Sequence, residues 1–221
     1  MTRQRELGRK GNPKPLWTCP AAAVTMHAMS RIASIAVFCG SSSGRNSLYA
    51  SAAESLGKEM AKRSITLVYG GGNRGLMGII ASAVHDAGGH VVGVLPEAMN
   101  LPSVRTEQVE SELLIAKGMH ERKKAMYDRA DAYIAMPGGI GTIEEIAEIY
   151  TWRQLGYHRK PVALLNAGGY WDPFISMLGK GVDEGFISDP VRNILIVESN
   201  PSALLDRIAE EDNTVLPSKL G

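Results

Sequence analysis

The sequence predicts a single-domain α/β protein built on a doubly wound, mainly parallel sheet. Short apolar runs of strand length alternate with amphipathic segments of helix length along most of the chain. The 24 glycines cluster after the predicted strands, as expected where a backbone must approach a ligand or another loop closely. A chain of 221 residues with 44% hydrophobic content is long enough for one sizeable core and short for two independent domains.

Each predicted strand is an apolar run of four to eight residues bounded by glycine, proline or polar residues. These strands are residues 32–39, 65–69, 90–95, 132–136, 161–165 and 194–197. Segments with apolar residues at helical spacing lie between them, and the predicted helices are residues 46–63, 76–87, 118–129, 142–155, 171–184 and 201–209. The alternation indicates a Rossmann-like sheet, in which ligands bind beyond the carboxyl ends of the strands.

One connection does not fit this alternation. Residues 97–112 show no clear period and are long for a loop between two elements. The segment is therefore either a functional loop or the site of a short strand.

The two ends of the chain have a different composition from the middle. Residues 1–29 are polar, basic and proline-bearing, which is typical of a disordered extension. We expect a nucleotide-binding α/β domain over residues 30–212 and a short tail over 213–221. From residue 29 onward the chain holds 19 basic and 22 acidic side chains, a balance that argues against binding to the nucleic-acid backbone.

Cysteine content and hydropathy bear on the compartment. Cys19 and Cys39 have neither metal-ligand spacing nor a disulfide-rich context, so we expect a reduced, cytoplasmic setting. The apolar runs are shorter than the ~20 residues that a membrane span requires, which predicts no membrane partner. Cys39 stands at a strand end and could act as a nucleophile, but no histidine partner is apparent, and a small buried residue is the favoured interpretation.

The stretch MPGGIGTIEE, residues 136–145, carries the most specific signal. Gly138, Gly139 and Gly141 leave backbone amides uncovered, and a helix starting at Thr142 would direct its positive dipole end to the same place. This arrangement suits a phosphate monoester. The alternative is purely structural, because Thr142-x-x-Glu145 also fits a capping box, in which Glu145 folds back on the start of its own helix.

Two further motifs are weaker. Gly70-x-Gly72-x-x-Gly75 matches the dinucleotide-binding pattern, but it follows the second predicted strand, and no acidic residue ends the next strand to bind a ribose. Of these two interpretations, close packing of the glycines is the favoured one. The basic run that contains Arg122, Lys123 and Lys124 is either a solvated helix face or a set of side chains that reach a ligand held at MPGGIGT.

Four segments of the chain resemble, in their order, the signatures of the Lonely Guy (LOG) family of cytokinin riboside 5'-monophosphate phosphoribohydrolases. They are AVFCGSSSG, VYGGGNRGLMG, MHERK and PGGIGTIEE. The resemblance runs from about residue 32 to residue 209. It implies hydrolysis of the N-glycosidic bond of a nucleoside 5'-monophosphate, with no metal and no other cofactor, by a protein that is usually a homodimer. Some relatives of this type have been labelled lysine decarboxylases, but no lysine here stands in a recognisable pyridoxal phosphate setting.

The resemblance also implies roles for individual residues. Arg122 and Glu145 match the family's catalytic pair. The positions that match or adjoin the substrate contacts are Ser41, Gly71, Gly72, Lys123, Gly138, Gly139, Ile140, Gly141, Thr142, Ile143, Glu144 and Thr151. A guanidinium is a poor proton donor, so we expect Arg122 to position the substrate and stabilise charge.

This sequence departs from the family pattern in one place. The family usually has an acidic residue within a Pro-Arg-Glu type segment after the third strand, whereas residues 100–105 read NLPSVR. The preferred base is therefore open. Two other classes also stay open at this point, a nucleotide or molybdenum cofactor carrier of similar architecture and an NAD(P)-dependent oxidoreductase.

Overall fold

The computed structural model describes residues 32–101 and 109–211. The predicted extension 1–29 and the predicted tail 213–221 lie outside the described residues. Seven strands are present in the described part of the chain: β1 (Ser34–Phe38), β2 (Thr66–Tyr69), β3 (Val91–Pro96), β4 (Glu112–Ala116), β5 (Ala132–Ala135), β6 (Val162–Leu165) and β7 (Leu195–Glu198). They form one sheet in the order β4-β3-β2-β1-β5-β6-β7, and every neighbouring pair is parallel. The predicted doubly wound sheet is confirmed.

The helices cover both faces of this sheet. They are α1 (Ser47–Lys62), α2 (Gly75–Asp86), α3 (Met119–Arg129), α4 (Ile140–Gln154), α5 (Asp172–Asp183), α6 (Asp189–Asn193) and α7 (Pro201–Glu210), with short 3-10 turns at Glu97–Met99 and Ala167–Gly169. One hydrophobic cluster joins α1, α2 and α7 to the sheet, and the other joins α3, α4, α5 and α6. Alternate residues of β1 serve the two clusters, since Ile35 and Val37 belong to the first and Ala36 and Phe38 to the second.

The predicted elements agree with the observed ones to within two residues at each end. A short strand was one of the two alternatives for segment 97–112, and strand β4 begins at the last residue of that segment. The short helix α6, which precedes β7, was not predicted. Within the described residues, no helix has both the length and the apolar character needed to cross a bilayer.

The helices begin in different ways. Asn46 caps α1 by accepting a hydrogen bond from the amide of Leu48 at 3.0 Å, and Asn200 caps α7 by accepting one from Ala203 at 3.0 Å. By contrast, Gly139 precedes α4 and offers no side chain to cap it. The first turn of α4 is thus left for another partner.

Candidate active site

A cavity of about 870 Å³ opens at the carboxyl ends of the central strands. It lies beside β1, where the helices after β1 and β2 pack on one face of the sheet and the helix after β5 packs on the other. Its volume is in the range of small-molecule sites. The lining residues are Cys39, Gly40, Ser41, Gly70, Gly72, Asn73, Arg74, Met77, Leu95, Met99, Met119, Arg122, Gly139, Ile140, Gly141, Thr142, Glu144 and Glu145.

Arg122 on α3 and Glu145 on α4 form an ion pair in the lining of this cavity. Arg122 Nη1 lies 2.8 Å from Glu145 Oε1, and each side chain is only 12% exposed. Arg122 Nε also donates to the carbonyl oxygen of Val94 at 3.1 Å, so the guanidinium is held from two directions. Gly70 makes room for it, because a Cβ there would lie 2.3 Å from Arg122 Nη2.

The surroundings of Glu145 act on its pKa in opposite directions. Burial raises the pKa of Glu145 above its usual range, and this effect outweighs the charge and the hydrogen bond of Arg122, which lower the pKa. A carboxylate with a raised pKa takes a proton from water more readily than an ordinary surface carboxylate does. The position is therefore suited to acid-base work as well as to charge stabilisation.

The capping-box interpretation of Thr142-x-x-Glu145 is wrong. Helix α4 begins at Ile140, two residues before the predicted start, so Thr142 lies inside the first turn and is not the cap. Glu145 reaches across to Arg122 instead of folding back on its own helix. The buried Thr142 packs on Gly138, where a Cβ would lie 2.1 Å from Thr142 Oγ1.

The N-termini of α2 and α4 both lie at the cavity, and they differ in the state of their amides. At α2, the amides of Leu76 and Met77 both donate to the carbonyl oxygen of Gly40, at 3.0 and 3.3 Å. At α4, the amides of Ile140, Gly141 and Thr142 have no hydrogen-bond acceptor among the described residues. Of these two helices, α4 has its first three amides uncovered at the positive end of a long helix, as anion binding usually requires.

The glycines of the Gly70-x-Gly72-x-x-Gly75 pattern have a packing role. Gly75 has a φ of +60°, and a Cβ there would lie 2.4 Å from the Ser41 carbonyl carbon and the Ser42 amide nitrogen. The loop after β2 thus crosses the loop after β1 at a distance that only glycine permits. This contact explains the pattern without a dinucleotide.

Lys123 is not part of the cavity lining, although its partner Glu144 is. Its Nζ lies 2.5 Å from Glu144 Oε1 and 2.8 Å from Glu148 Oε2, and its side chain is 7% exposed. Burial lowers the pKa of Lys123, but the hydrogen bonds and charges of the two carboxylates outweigh burial, and the net shift is upward. Tyr127 donates its hydroxyl to Glu148 at 2.6 Å, so the cluster joins α3 to α4.

The predicted site residues fall into two groups. The cavity lining includes both members of the catalytic pair and Ser41, Gly72, Gly139, Ile140, Gly141, Thr142 and Glu144. The lining does not include Gly71, Lys123, Gly138, Ile143 or Thr151. Thr151 donates to the carbonyl oxygen of Ala147 at 2.7 Å, and Ile143 packs on the core.

Several lining residues were not singled out from the sequence. Met77, Leu95, Met99 and Met119 form an apolar part of the lining, and in the sequence they look like ordinary core residues. Arg74 lines the cavity and is exposed, and its side chain has no ion-pair partner within residues 32–101 and 109–211. The only signal for it was its place inside GGGNRGLMG.

Cys39 belongs to the cavity lining, but its side chain is largely buried. It is 7% exposed. Burial raises the pKa of Cys39 far above its usual range, and the nearby charge of Glu145 adds to the effect. Since the thiolate is the reactive species, these surroundings favour the buried-residue interpretation over a nucleophile.

The fold and the cavity define the class of Rossmann-like α/β proteins with a ligand site at the carboxyl ends of the central strands. Residues 77–208 match the family model described as "Possible lysine decarboxylase". The chain is 49% identical over 181 residues to the cytokinin riboside 5'-monophosphate phosphoribohydrolase LOG of Oryza sativa subsp. japonica, covering 82% of this chain and 74% of that protein. It is 48% identical to LOG7 of Arabidopsis thaliana, covering 82% and 83%. The chain belongs to the LOG family.

Solved structures of lower identity share the fold. A molybdenum cofactor binding protein from Rippkaea orientalis has a TM-score of 0.60 at 22% identity, covering 82% of this chain and 98% of that one. The molybdenum cofactor carrier protein of Chlamydomonas reinhardtii has a TM-score of 0.60 at 20% identity, covering 81% and 97%. At these identities the likeness concerns the fold alone.

The description of the family model implies pyridoxal phosphate, and the cavity does not fit that group. Pyridoxal phosphate enzymes hold the cofactor as a Schiff base on a lysine. The described lining contains no lysine. Lys123, which follows the lining residue Arg122 in the sequence, is bound to two carboxylates. Within the described residues there is also no group of three His, Cys, Asp or Glu side chains able to hold a metal ion.

Proposed function

We propose that this protein hydrolyses the N-glycosidic bond of purine or cytokinin-type nucleoside 5'-monophosphates, releasing the free base and ribose 5-phosphate. One observation carries the proposal: the Arg122 and Glu145 pair lies in the same cavity as the uncovered N-terminus of α4. A carrier has no need for a buried carboxylate beside a sugar. The names of the rice and Arabidopsis relatives support the same reaction.

The 5'-phosphate belongs at the start of α4. The amides of Ile140, Gly141 and Thr142 supply hydrogen bonds, and the helix supplies a positive potential. Glycines at 139 and 141 keep side chains away from these amides. Holding the unreacting phosphate there orients the ribose, and binding energy of this kind supports catalysis.

The glycosidic bond then lies next to Glu145. The transition state of glycoside cleavage carries positive charge on the sugar ring, which the carboxylate of Glu145 stabilises. As water adds to the sugar carbon, the base departs with the electron pair of the glycosidic bond. The carboxylate of Glu145 accepts the proton of the attacking water, and its raised pKa favours that step. The departing base takes a proton from solvent, and Glu145 loses its proton to solvent and returns to its starting state. Arg122 holds Glu145 in place and contributes positive charge toward the anionic substrate.

The leaving base occupies the apolar part of the lining. Met77, Leu95, Met99 and Met119 offer flat and adaptable contact surface to a purine ring. Within the described residues these side chains give no hydrogen-bonding pattern that selects one base. The identity of the base is therefore tested with more than one nucleotide.

We further propose that the protein is a cytoplasmic homodimer. Support comes from Met119, at 48% exposure, and Ile140, at 81% exposure, which lie beside the cavity on the two helices that carry the catalytic pair. A second copy would cover these apolar side chains. Sedimentation velocity would contradict this part of the proposal if the protein were monomeric at micromolar concentration.

The reaction itself is tested by incubating the purified protein with AMP and, separately, with isopentenyladenosine monophosphate. Chromatography should detect adenine or the substituted adenine together with ribose 5-phosphate. A Glu145→Gln preparation, purified in parallel, measures the background from contaminating nucleosidases. Tight binding of both nucleotides without release of base would favour the carrier alternative and contradict the hydrolase.

A further inference from the structure

The peptide unit between Gly138 and Gly139 immediately precedes α4, and one side chain holds it. The hydroxyl of Tyr170 donates a hydrogen bond to the carbonyl oxygen of Gly138. Tyr170 lies 32 positions away in the sequence, between the 3-10 turn Ala167–Gly169 and α5. It is absent from the cavity lining and from the predicted site residues.

This bond sets the direction of an amide on the cavity side. In a trans peptide the carbonyl and the N–H point in opposite directions across one rigid plane, and the described residues contain no cis peptide. With the Gly138 oxygen fixed on Tyr170, the amide of Gly139 points away from the tyrosine. Gly139 lines the cavity, and its amide has no acceptor among the described residues.

A peptide between two glycines needs such a restraint. Glycine reaches both signs of φ at little cost, so the rotation that exchanges the carbonyl and the N–H meets little steric resistance. After that rotation a carbonyl oxygen would face the anion position at the start of α4. An oxygen there would repel a phosphate that the amides otherwise bind.

Tyr170 is rigid enough to provide the restraint. Its ring packs edge to face on Tyr49 at 5.7 Å and on Trp171 at 5.2 Å between centroids. Trp171 is buried, and its amide donates to Asn166 Oδ1 at 2.8 Å. The hydroxyl is thereby placed by packing on the core.

We propose that Tyr170 is a positioning residue for phosphate recognition, which holds the 138–139 peptide so that the Gly139 amide joins the amides of α4 in binding the anion. This inference rests on the proposed function, since it assigns the phosphate of the substrate to this turn. It predicts that loss of the hydroxyl weakens the binding of ligands that contain a phosphate and leaves the binding of a ligand without phosphate unchanged.

The test is Tyr170→Phe, which removes only the hydroxyl. KM for AMP and the dissociation constant of ribose 5-phosphate should both rise about five- to tenfold, the usual effect of losing one hydrogen bond, while the dissociation constant of adenosine should stay unchanged. Tyr150→Phe is the matched control, because Tyr150 also donates its hydroxyl to a backbone carbonyl, that of Val191, at 2.7 Å. Tyr150 does not line the cavity.

Unchanged affinity of Tyr170→Phe for ribose 5-phosphate, or an equal loss in Tyr150→Phe, would overturn the proposal. The wild-type protein provides a second measurement that needs no variant: the Gly139 amide resonance should shift when ribose 5-phosphate is added, and its failure to shift would also overturn it. Calorimetry with ribose 5-phosphate requires no turnover. A wild-type protein that releases no base but shows these phosphate effects would thus refute the hydrolase and leave the role of Tyr170 standing.

Discussion

At the scale of single residues, Glu145 is subject to two opposing influences. Burial disfavours its charge, and the guanidinium of Arg122 favours it, with burial the stronger. A carboxylate in this balance can be ionised when the sugar becomes positive and can also take up a proton during the reaction. Both proposed tasks of Glu145 follow from its position.

Replacing Glu145 by Gln should lower kcat on AMP about 10²- to 10⁴-fold, the usual contribution of acid-base groups, with a small change in KM. Glutamine keeps an oxygen that can accept the bond from Arg122, so the pair should stay in place. Glu148→Gln, one turn further along α4 and outside the cavity lining, is the control. A Glu145→Gln protein with near-wild-type kcat would remove Glu145 from the mechanism.

The raised pKa of Glu145 also makes a prediction about stability. The folded protein binds more protons at this site than the unfolded chain does, over an interval that begins near the usual pKa of 4.5 and extends upward. Stability contributed by this group therefore falls as pH rises through that interval. Glutamine does not titrate, so the Tm of Glu145→Gln relative to wild type should increase between about pH 4 and about pH 8. A difference in Tm that is independent of pH would contradict the raised pKa.

At the scale of elements, α3 and α4 act as one unit. Lys123 bridges two carboxylates of α4, and Arg122 from the neighbouring position pairs with a third, Glu145. Consecutive residues of a helix point in different directions, so α3 directs one cation into the cavity and the other along the contact between the helices. The start of α4 is thereby fixed relative to the ion pair between Arg122 and Glu145.

Lys123→Met should destabilise the fold by about 1–3 kcal/mol, because two charged hydrogen bonds are lost while the apolar stem is kept. The partners Glu144 and Glu148 are 52% and 26% exposed, so the loss should stay below that of a fully buried pair. Lys124→Met is the matched control: its pair with Asp128 is exposed at 71% and 59%, and we expect a change within about 0.5 kcal/mol. Urea unfolding measures both. A large rise in KM with unchanged stability would instead make Lys123 a substrate ligand.

The sequence predicted nearly all elements because apolar period and glycine position are local signals. Strand β4 was not assigned from the sequence because it lies at the edge of the sheet and is mostly half-buried or exposed. Its residues therefore show little of the alternation between buried apolar and exposed polar side chains that marks a strand. The start of α4 was placed at Thr142 because the capping box is also a local pattern. The ion pair that draws Glu145 away spans 23 positions, and no spacing rule contains it.

At the scale of the whole molecule, one buried cation links two distant segments. Arg153 on α4 is 2% exposed, and its guanidinium is paired with Glu211, just after α7. Its Nη1 also donates to the carbonyl oxygen of Ile194 at 3.4 Å. The end of α7 is thus attached to the helix that begins at the cavity.

Glu211→Ala should destabilise the protein by about 1–3 kcal/mol, because it removes the partner of the buried Arg153 charge, while Glu211 itself is 19% exposed. Glu210→Ala is the control, since Glu210 is exposed and should change stability by at most about 0.5 kcal/mol. Chemical denaturation of the two variants side by side gives the comparison. Equal stabilities would mean that Arg153 finds another partner.

The candidate site was predictable in part for the same reason as the fold. The glycine turn before α4 is one continuous segment, so its uncovered amides could be expected from the amino-acid sequence alone. Arg122 and Glu145 were expected as partners only through the family resemblance. Tyr170 gave no signal, because a phenol that binds a backbone carbonyl 32 positions away looks like any aromatic core residue.

The carbonyl oxygen of Gly40 has a consequence for reading genomes. By accepting the first amides of α2, it occupies the donors that a G-x-G-x-x-G turn would offer to a pyrophosphate. A search for the sequence motif alone would group such chains with the dehydrogenases. Here a hydrogen-bond acceptor from a different loop occupies the amides that a dinucleotide would need. Motif-based classification of α/β proteins would gain from asking whether the helix that follows a glycine turn still has amides to donate.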